Sequence, residues 1–320
     1  MWNLIADVGG TNMRLASVAE DGRMLRNQTL PSKGEVGLEA ACGAFATTEG
    51  SAPRHVVIAA AGIVANGHVT LTNADQSASE PGLIAACGAQ SAKILNDFEA
   101  AAWSLETVTA REVKVLQGQG DFPPGARLII GPGTGLGVGA LAMDGARPVA
   151  VPGEGGHVGI GPRRADLVPV FEALVALWPE VAMSDLTVEA EAVLSGTGLP
   201  YFYRAVAQAM GQAVQSLEGP QIFAAASAQS DPVARRTVAL FGEYLGAVAG
   251  DLAVTVKALG GVFVTGGVVH KNPHILDAAF LAAFNAGGRY QGWRQNVPVY
   301  LYENENFGLI GARNCAQHLD

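Results

Sequence analysis

One short segment near the start of the chain has residue types that could bind a nucleotide. "IADVGGTNMRLA" runs from an apolar stretch into Asp7, continues through Gly9, Gly10 and Thr11, and then becomes apolar again. Paired glycines cost backbone entropy unless the turn needs them or something approaches closely. Two interpretations fit: a tight hairpin between two strands, and a turn whose N–H groups hold a phosphate while Asp7 faces a metal ion. The motif alone favours the hairpin.

Two later segments strengthen the nucleotide interpretation. Gly10-Thr11 and Gly133-Thr134 are each followed by an apolar stretch and an Asp-Gly pair, with the same 123-residue offset. A third pair, Gly266-Gly267, ends the apolar run "GVFVTGG". Ligands of α/β proteins bind at the carboxyl ends of strands. Three such turns therefore favour one common nucleotide site over three unrelated turns.

Acidic and histidine side chains in other segments could act on an acceptor. Asn96 and Asp97 fall where a strand ends and a helix starts, so the plain interpretation of Asp97 is a helix cap. Glu154 and His157 lie three residues apart across two glycines. A carboxylate can accept from two neighbouring sugar hydroxyls, and an imidazole can donate to or accept from a third. The alternatives are a solvated loop acid and a partly buried histidine.

The elements that position these residues alternate between strand and helix. "NLIADV", "RLASVA", "HVVIAAAG", "KILND" and "VPVYLY" are typical of buried strands. One apolar face between 233 and 259 indicates a long core helix. Further helices are predicted at 37–47, 80–88, 168–178, 186–194 and 200–217. This alternation predicts an α/β fold with mostly parallel strands.

Composition limits the class of protein. The chain has 320 residues, 49% of them hydrophobic and 15% charged, which favours two domains with a sizeable core. A net charge of −9 without a basic cluster disfavours nucleic-acid or membrane partners. Cys42, Cys87 and Cys315 lack C-x-x-C spacing, which favours buried thiols in a reducing cytosol. The apolar strand that starts at Trp2 indicates no leader peptide.

Six motifs together resemble one known family. They occur in the order seen in bacterial ATP-dependent glucokinases of the hexokinase superfamily, over nearly the whole chain. The sister group of sugar kinases and repressors carries a cysteine-rich zinc motif after its Gly-His element, and the segment after His157 has no cysteine. The motifs are "DVGGTN", "LNDFEAAAWSL", "GPGTGLGVGAL", "PGEGGHVGIGP", "LSGTGLPYFYRA" and "GGVFVTGGVV".

The resemblance implies a two-domain actin-like ATPase fold of the ribonuclease-H-like type, with a central cleft. The smaller α/β domain would comprise residues 1–107 and 304–320, with the first turn, Asp97 and a returning C-terminal helix. The larger α+β domain would comprise residues 108–303. The donor would be Mg²⁺-ATP, the acceptor D-glucose and the product glucose 6-phosphate. A cytoplasmic homodimer is also implied.

The resemblance assigns ATP binding to the three turns. The first two would approach the β- and γ-phosphates, and the third would pass close to the adenosine. Asp7 would face Mg²⁺ through water. The assigned residues are Asp7, Gly9, Gly10, Thr11, Asn12, Gly133, Thr134, Gly135, Gly266 and Gly267.

The resemblance also assigns the sugar site. Asp97 would be the general base that takes the proton of the 6-hydroxyl, and it could still cap the helix. Asn96 would bind the sugar, and Glu154 and His157 would contact its 1-, 2- and 3-hydroxyls. The family pattern Ala-Glu-x-Val-Leu-Ser-Gly selects Glu191 rather than Glu189, which would then be an ordinary exposed acid.

Two other functions stay open at this level. Epimeric sugars differ by one hydroxyl, so a kinase for mannose, fructose or an amino sugar fits the same acceptor residues. A non-catalytic sugar-sensing protein would need a broken base or turn, or an added DNA-binding segment; Asp97 and both turns are present, and no such segment precedes Asp7. One departure from the family pattern concerns the cleft wall. Relatives usually have an aromatic residue soon after the position of Asn73, whereas this chain has "TNADQ" there and no tryptophan.

Overall fold

The computed structural model describes residues 1–33, 36–71 and 76–319, so the segment around Asn73 lies outside the described residues. The strands are β1 Trp2–Val8, β2 Asn12–Ala19, β3 Met24–Pro31, β4 His55–Ala60, β5 Gly62–Ala65, β6 His68–Leu71, β7 Ser77–Ser79, β8 Ser91–Asn96, β9 Val113–Gln117, β10 Arg127–Pro132, β11 Leu136–Asp144, β12 Arg147–Val151, β13 Gly159–Ile160, β14 Ala182–Ser184, β15 Thr187–Glu189, β16 Gly261–Val264 and β17 Val299–Tyr302. The α-helices are α1 Leu38–Thr48, α2 Glu80–Cys87, α3 Asp97–Ser104, α4 Val168–Leu177, α5 Leu199–Ala209, α6 Gly219–Ser227, α7 Pro232–Val256, α8 Gly267–Lys271, α9 Ala278–Asn285, α10 Gln291–Gln295 and α11 Phe307–Ala316.

The chain divides into two compact units. The first contains residues 1–109, 139–152 and 304–320, and the second contains residues 110–138 and 153–303. The C-terminal helix α11 belongs to the first unit. The hairpin of residues 139–152 also belongs to the first unit, whereas the sequence interpretation puts it in the larger domain. Its strand β12 packs against α3, which explains the grouping.

The first unit is built on a five-stranded sheet of order β3-β2-β1-β4-β8. Strands β1, β4 and β8 are parallel, with Val8 paired to Ala60 and Ala60 paired to Asn96. Their carboxyl ends therefore share one edge of the sheet. Burial of whole strands such as β4 on both faces is what the apolar run "HVVIAA" predicts.

Helices α3 and α11 pack closely in this unit. A Cβ on Gly311 would lie 1.8 Å from the carbonyl oxygen of Ala100, so only glycine permits the contact. The buried Asn314 donates from Nδ2 to the carbonyl of Trp103 at 2.9 Å. This packing holds the helix that begins at Asp97.

The second unit contains adjacent strands in the order β10-β16-β17-β9. Strands β10, β16 and β17 are parallel, and β9 is antiparallel at the edge. Helix α7 is long and apolar enough to cross a membrane by length and composition, but 72% of its apolar window is buried inside the unit. Gly246 and Gly250 let it approach the carbonyls of α9 closely. It is a core helix, as its single apolar face predicts.

The α/β prediction is confirmed, but the expectation of mostly parallel strands is wrong. Parallel pairing is found in β1-β4-β8 and β10-β16-β17, whereas pairs such as β1-β2, β2-β3 and β11-β12 are antiparallel. Two helix predictions are also wrong. Residues 186–194 form β15 and a 3-10 turn at Ala190–Ala192 rather than a helix, because this segment pairs with β13 and β14. Helix α5 ends at Ala209, well before the predicted residue 217. The three cysteines are free and buried, as predicted.

The Asp-Gly pairs that recur with a 123-residue offset form matching hairpins. In the first, β1 and β2 are antiparallel and a positive φ at Gly22 turns the chain into β3. In the second, β11 and β12 are antiparallel around Gly145, which also has a positive φ. The same local sequence has therefore formed the same local structure in both halves of the chain.

Candidate active site

The first Gly-Thr turn is a hairpin, and its shape leaves space beside the backbone. The Gly9 N–H donates to the carbonyl of Asn12 at 3.0 Å. Buried Ser32 holds the turn with two hydrogen bonds. Its Oγ donates to the Gly9 carbonyl at 2.6 Å, and its N–H donates to the Thr11 carbonyl at 2.9 Å. A Cβ on Gly9 would meet only Asn12 O, at 3.8 Å. The glycine is thus not required by packing or φ within the protein, which leaves the approach of a ligand.

Asp7 lies at the end of β1, immediately before this turn. Burial raises the pKa of its carboxyl group, and nearby Arg14 opposes that shift. Arg14 is its cross-strand partner; its Nη1 lies 3.9 Å from Asp7 Oδ2 and donates to Asn306 Oδ1 at 3.0 Å. Gly308 of α11 leaves room for the carboxylate, because a Cβ there would lie 2.6 Å from Asp7 Oδ1. A half-buried carboxylate with a raised pKa is suited to a cation partner.

Asn96 and Asp97 lie at the same edge of the sheet as the first turn. Two strand spacings separate the ends of β1 and β8, which is about 10 Å. The predicted cap belongs to Asn96 rather than Asp97: Asn96 Oδ1 accepts from the Glu99 N–H at 2.5 Å. Asp97 is instead the first residue of α3, exposed, and its Oδ1 accepts from the Phe98 N–H at 3.0 Å.

The second Gly-Thr turn, in the second unit, is fastened by different partners. The Gly133 N–H donates to the Gly135 carbonyl at 2.8 Å. Gly196 donates to the Gly133 carbonyl at 2.8 Å, and Thr197 donates to the Thr134 carbonyl from its N–H at 3.2 Å and its Oγ1 at 3.0 Å. The "SGT" segment that follows Glu191 therefore supports the turn.

Glu191 reaches the base of the same turn. Its Oε2 accepts from the Leu136 N–H at 2.7 Å, and a Cβ on Gly135 would lie 2.4 Å from that oxygen. One carboxylate oxygen, Oε2, is therefore used by the turn. The role of Glu191 in sugar binding stays a prediction.

Glu154, His157, Glu189 and Glu191 form an acidic cluster around one imidazole. His157 Nδ1 lies 2.8 Å from Glu189 Oε2. This hydrogen bond raises the pKa of His157 above its usual value, burial lowers it to a lesser extent, and the charges of all three glutamates raise it further. Glu189 is thus not the ordinary exposed acid of the sequence interpretation. His157 is exposed, which does not match the alternative of a partly buried histidine, whereas the exposed Glu154 still fits a solvated loop acid.

The glycines between Glu154 and His157 have a structural cause that the sequence interpretation missed. A Cβ on Gly156 would lie 2.0 Å from the carbonyl oxygen of Leu136, and one on Gly155 would lie 2.8 Å from Val138. These glycines seat the loop on β11 and do not by themselves indicate a small ligand. They bring the loop next to the second turn.

The third glycine pair divides into two roles. Gly266 has φ +98°, and a Cβ there would lie 2.6 Å from the Pro132 carbonyl, so the fold itself requires this glycine. Gly267 starts α8 and lines a cavity of about 1070 Å³, and a Cβ added to it would meet no atom within 4 Å. Of the two predicted residues, Gly267 is the one beside a space large enough for a nucleoside.

The cavity contains residues that the sequence interpretation did not select. It joins the second turn to the "SGT" segment, α5, α6 and α8. The Arg204 guanidinium stacks 4.4 Å from the centroid of Tyr201, which stacks on Trp178. The polar and charged lining residues include Thr134, Thr197, Arg204, Ser216, Glu218, Lys271 and Asn272. Besides the two glycine turns, the motif "LSGTGLPYFYRA", which includes Thr197 and Arg204, was the sequence signal for this wall.

Strand-end Gly-Thr turns, a carboxylate at a helix start and a nucleoside-sized cavity define a kinase of the actin-like ATPase fold. A family model described as Glucokinase matches residues 4–319. The glucokinase of Sinorhizobium fredii is 33% identical over 320 residues, covering 96% of this chain and 90% of that relative. The chain belongs to the glucokinase family and is a sugar kinase.

Solved structures agree with this assignment. The crystal structure of a glucokinase from an Antarctic psychrotroph has a TM-score of 0.87 and 28% identity, and the match covers 98% of both chains. A ROK-family glucokinase from Streptomyces griseus, crystallised with glucose and AMPPNP, has a TM-score of 0.58 and 23% identity; the match covers 98% of this chain and 99% of that one. The second comparison shows the shared fold alone.

Proposed function

We propose that this glucokinase-family protein transfers the γ-phosphoryl group of ATP to the 6-hydroxyl of D-glucose, giving ADP and glucose 6-phosphate. The observation that carries the proposal is the placement of Asp97. It stands at the start of α3, at the sheet edge that also carries the first Gly-Thr turn. Phosphoryl transfer is mainly positioning and charge stabilisation, and it needs a base near the bound phosphates.

Asp97 would be the general base. Its carboxylate takes the proton of the 6-hydroxyl as that oxygen attacks the γ-phosphorus, and the bond to the β,γ-bridging oxygen breaks as ADP leaves. Two features support this role: Asn96 provides the helix cap, so Asp97 is not needed for it, and Asp97 is exposed. Asn96 keeps its Nδ2 donors for the sugar, because the cap uses Oδ1.

The backbone and hydroxyl donors of the two Gly-Thr turns would bind the β- and γ-phosphates. Asp7 suits Mg²⁺ because its carboxylate is half-buried beside the first turn. Among the described residues no cluster of three or more His, Cys, Asp or Glu could hold a metal. That agrees with an ion held by one carboxylate, water and the substrate's phosphates. When bound, Mg²⁺ supplies charge neutralisation at those phosphates.

Glu154, His157 and Glu191 would read the 1-, 2- and 3-hydroxyls of the sugar, together with Asn96. Carboxylates accept hydroxyl protons, and an imidazole supplies the complementary donor. The adenosine would occupy the cavity lined by Gly267. Its size, and its continuity with the second turn, support ATP as the donor.

We also propose a cytoplasmic homodimer. The buried free thiols agree with a reducing compartment. The dimer rests on the family resemblance, and sedimentation equilibrium of the purified protein at several concentrations tests it. A single species with the mass of one chain would contradict it.

The first experiment is ADP release with Mg²⁺-ATP and a panel of sugars: glucose, mannose, fructose, galactose, glucosamine and N-acetylglucosamine. We expect fast turnover with glucose and little with its epimers. Faster turnover with another sugar would keep the kinase and replace the acceptor. Glucose binding by calorimetry without turnover on any sugar would favour a sugar-sensing protein.

A further inference from the structure

The hydrogen bond between His157 and Glu189 joins a residue that is predicted to bind the sugar to one that has no assigned role. His157 ends a 3-10 turn, Gly155–His157, and Glu189 ends β15. The two elements are held together by backbone pairing on either side of this contact. Gly159 of β13 pairs with Glu189, and the Ala190 N–H donates to the Val158 carbonyl at 2.9 Å. The contact is therefore fixed by the sheet rather than by two free side chains.

The chemistry of this contact determines the protonation of the ring. An ionised carboxylate only accepts hydrogen bonds, so His157 must carry a proton on Nδ1. Nε2 is then the ring nitrogen that remains for a ligand. We propose that Glu189 is a positioning residue for sugar recognition, which holds the Nδ1 proton and the orientation of the His157 ring so that Nε2 binds a sugar hydroxyl. This inference rests on the proposed sugar-binding role of His157.

The surrounding charges determine whether Nε2 of His157 donates to the sugar hydroxyl or accepts from it. Glu154 precedes the 3-10 turn that His157 ends, Glu189 lies on β15, and Glu191 lies on the following 3-10 turn; all three favour the protonated imidazole. The carboxylates of Glu154 and Glu191 can only accept hydroxyl protons. The hydroxyl oxygens then need a donor, and a doubly protonated His157 supplies it from Nε2. Raising the pH through the elevated pKa of His157 removes that donor, so glucose affinity falls.

The variants separate the charge of Glu189 from its hydrogen bond. Glu189→Gln keeps an acceptor oxygen and loses the charge, whereas Glu189→Ala loses both. Glu172→Gln, at an exposed acid of α4 in the same unit, is the control for the change in net charge. His157→Gln tests the role of the histidine itself.

The experiment measures KM for glucose and kcat from about pH 6 to about pH 9, the range in which histidine titrates. We expect the wild-type KM to rise as the pH increases through the pKa of His157. In Glu189→Gln this rise begins at lower pH, which increases KM about three- to tenfold at intermediate pH and leaves kcat within about twofold. Glu189→Ala raises KM about tenfold across the whole range, because a charge-assisted hydrogen bond is lost.

Three other outcomes would contradict either the role of Glu189 or that of His157. Superimposable KM profiles for wild type, Glu189→Gln and Glu189→Ala would overturn the inference. So would equal losses of kcat and thermal stability with no shift of the pH profile, since those indicate a purely structural residue. If His157→Gln leaves KM for glucose unchanged, the proposed sugar-binding role of His157 fails instead.

Discussion

The two Gly-Thr turns resemble each other in sequence and differ in hydrogen bonding and surroundings. In the first, the Gly9 N–H donates to the carbonyl three residues on, Asn12, whereas in the second the Gly133 N–H donates to the carbonyl two residues on, Gly135. The first turn follows a carboxylate, Asp7, and is held by Ser32 at the end of the β2–β3 hairpin. The second has no carboxylate at the matching strand end, and it is held by the segment that follows Glu191.

This difference indicates a division of labour. The first turn shares its sheet edge with Asp97, so changes around this turn should act on kcat and on KM for ATP and leave KM for glucose unchanged. The second turn is joined to Glu191 through the Leu136 N–H, so changes there should act on the binding of both substrates. We therefore expect the surroundings of each turn, not the turn itself, to determine which substrate's KM it affects.

Among the residues of the two turns and the strand ends before them, the largest effect is expected at Asp7. Asp7→Asn should lower kcat by about 100-fold or more and raise the Mg²⁺ concentration needed for half-maximal rate, because the metal-facing charge is lost. Steady-state rates at varied Mg²⁺ measure both. Unchanged kcat at saturating Mg²⁺ would contradict the assignment of Asp7 to the metal.

The same variant has an opposite effect on stability. Because the folded-state pKa of Asp7 is raised, the ionised folded form is penalised at every pH above the unfolded pKa. Asp7→Asn should therefore have a Tm at or above the wild-type value at pH 7. The difference should shrink as the pH falls through the pKa of Asp7, and thermal melts at several pH values test this.

Matched glycine substitutions compare the two turns directly. Gly135→Ala puts a Cβ 2.4 Å from Glu191 Oε2, so the carboxylate must move and KM should rise about tenfold for both glucose and ATP. Gly9→Ala meets only Asn12 O, at 3.8 Å, so it should fold normally and raise KM for ATP alone. Equal effects of both variants on glucose would remove the distinction between the turns.

The smallest effects are expected from the hydroxyls beneath each turn. Ser32→Ala removes a 2.6 Å hydrogen bond to Gly9 O, worth about 1 kcal/mol, and should raise KM for ATP about fivefold. Thr197→Val removes the 3.0 Å bond from an exposed hydroxyl to Thr134 O and should raise both KM values about twofold. In both variants the backbone N–H bond of the same residue remains as a support. A response of glucose KM to Ser32→Ala would contradict the separation.

Much of the fold was accessible from sequence because its strands and long helix have strong periodicity. Helix α7 is predicted by its single apolar face, and the two matching Asp-Gly hairpins are predicted by the repeated glycine spacing. The helix predicted over 186–194 is wrong because its Ala- and Glu-rich sequence has helical propensity, whereas pairing with β13 and β14 determines its structure. The pairing with β13 joins segments about 30 residues apart, so local sequence does not encode it, whereas β14 and β15 form a local hairpin.

The same error explains what was missed in the candidate site. Once Glu189 is on a strand opposite Gly159, it lies beside His157; on a helix it is only another surface acid. Asn96 as the helix cap could have been predicted from the spacing of Asn96 to Glu99, since the first residue of an N-cap motif commonly bonds to the N–H three residues on. The close seating of Gly155 and Gly156 on β11 depends on tertiary contacts and has no local signal.

The division of labour is tested most directly by calorimetric glucose titration and turnover of two variants side by side. Asp97→Asn removes the proposed general base, and Glu154→Gln removes a carboxylate that is proposed to bind the sugar hydroxyls. We predict that Asp97→Asn binds glucose within about threefold of wild type while kcat falls about 100- to 10,000-fold. Glu154→Gln should bind glucose at least about tenfold more weakly. Near-normal turnover by Asp97→Asn, or wild-type glucose affinity in Glu154→Gln, would contradict the account.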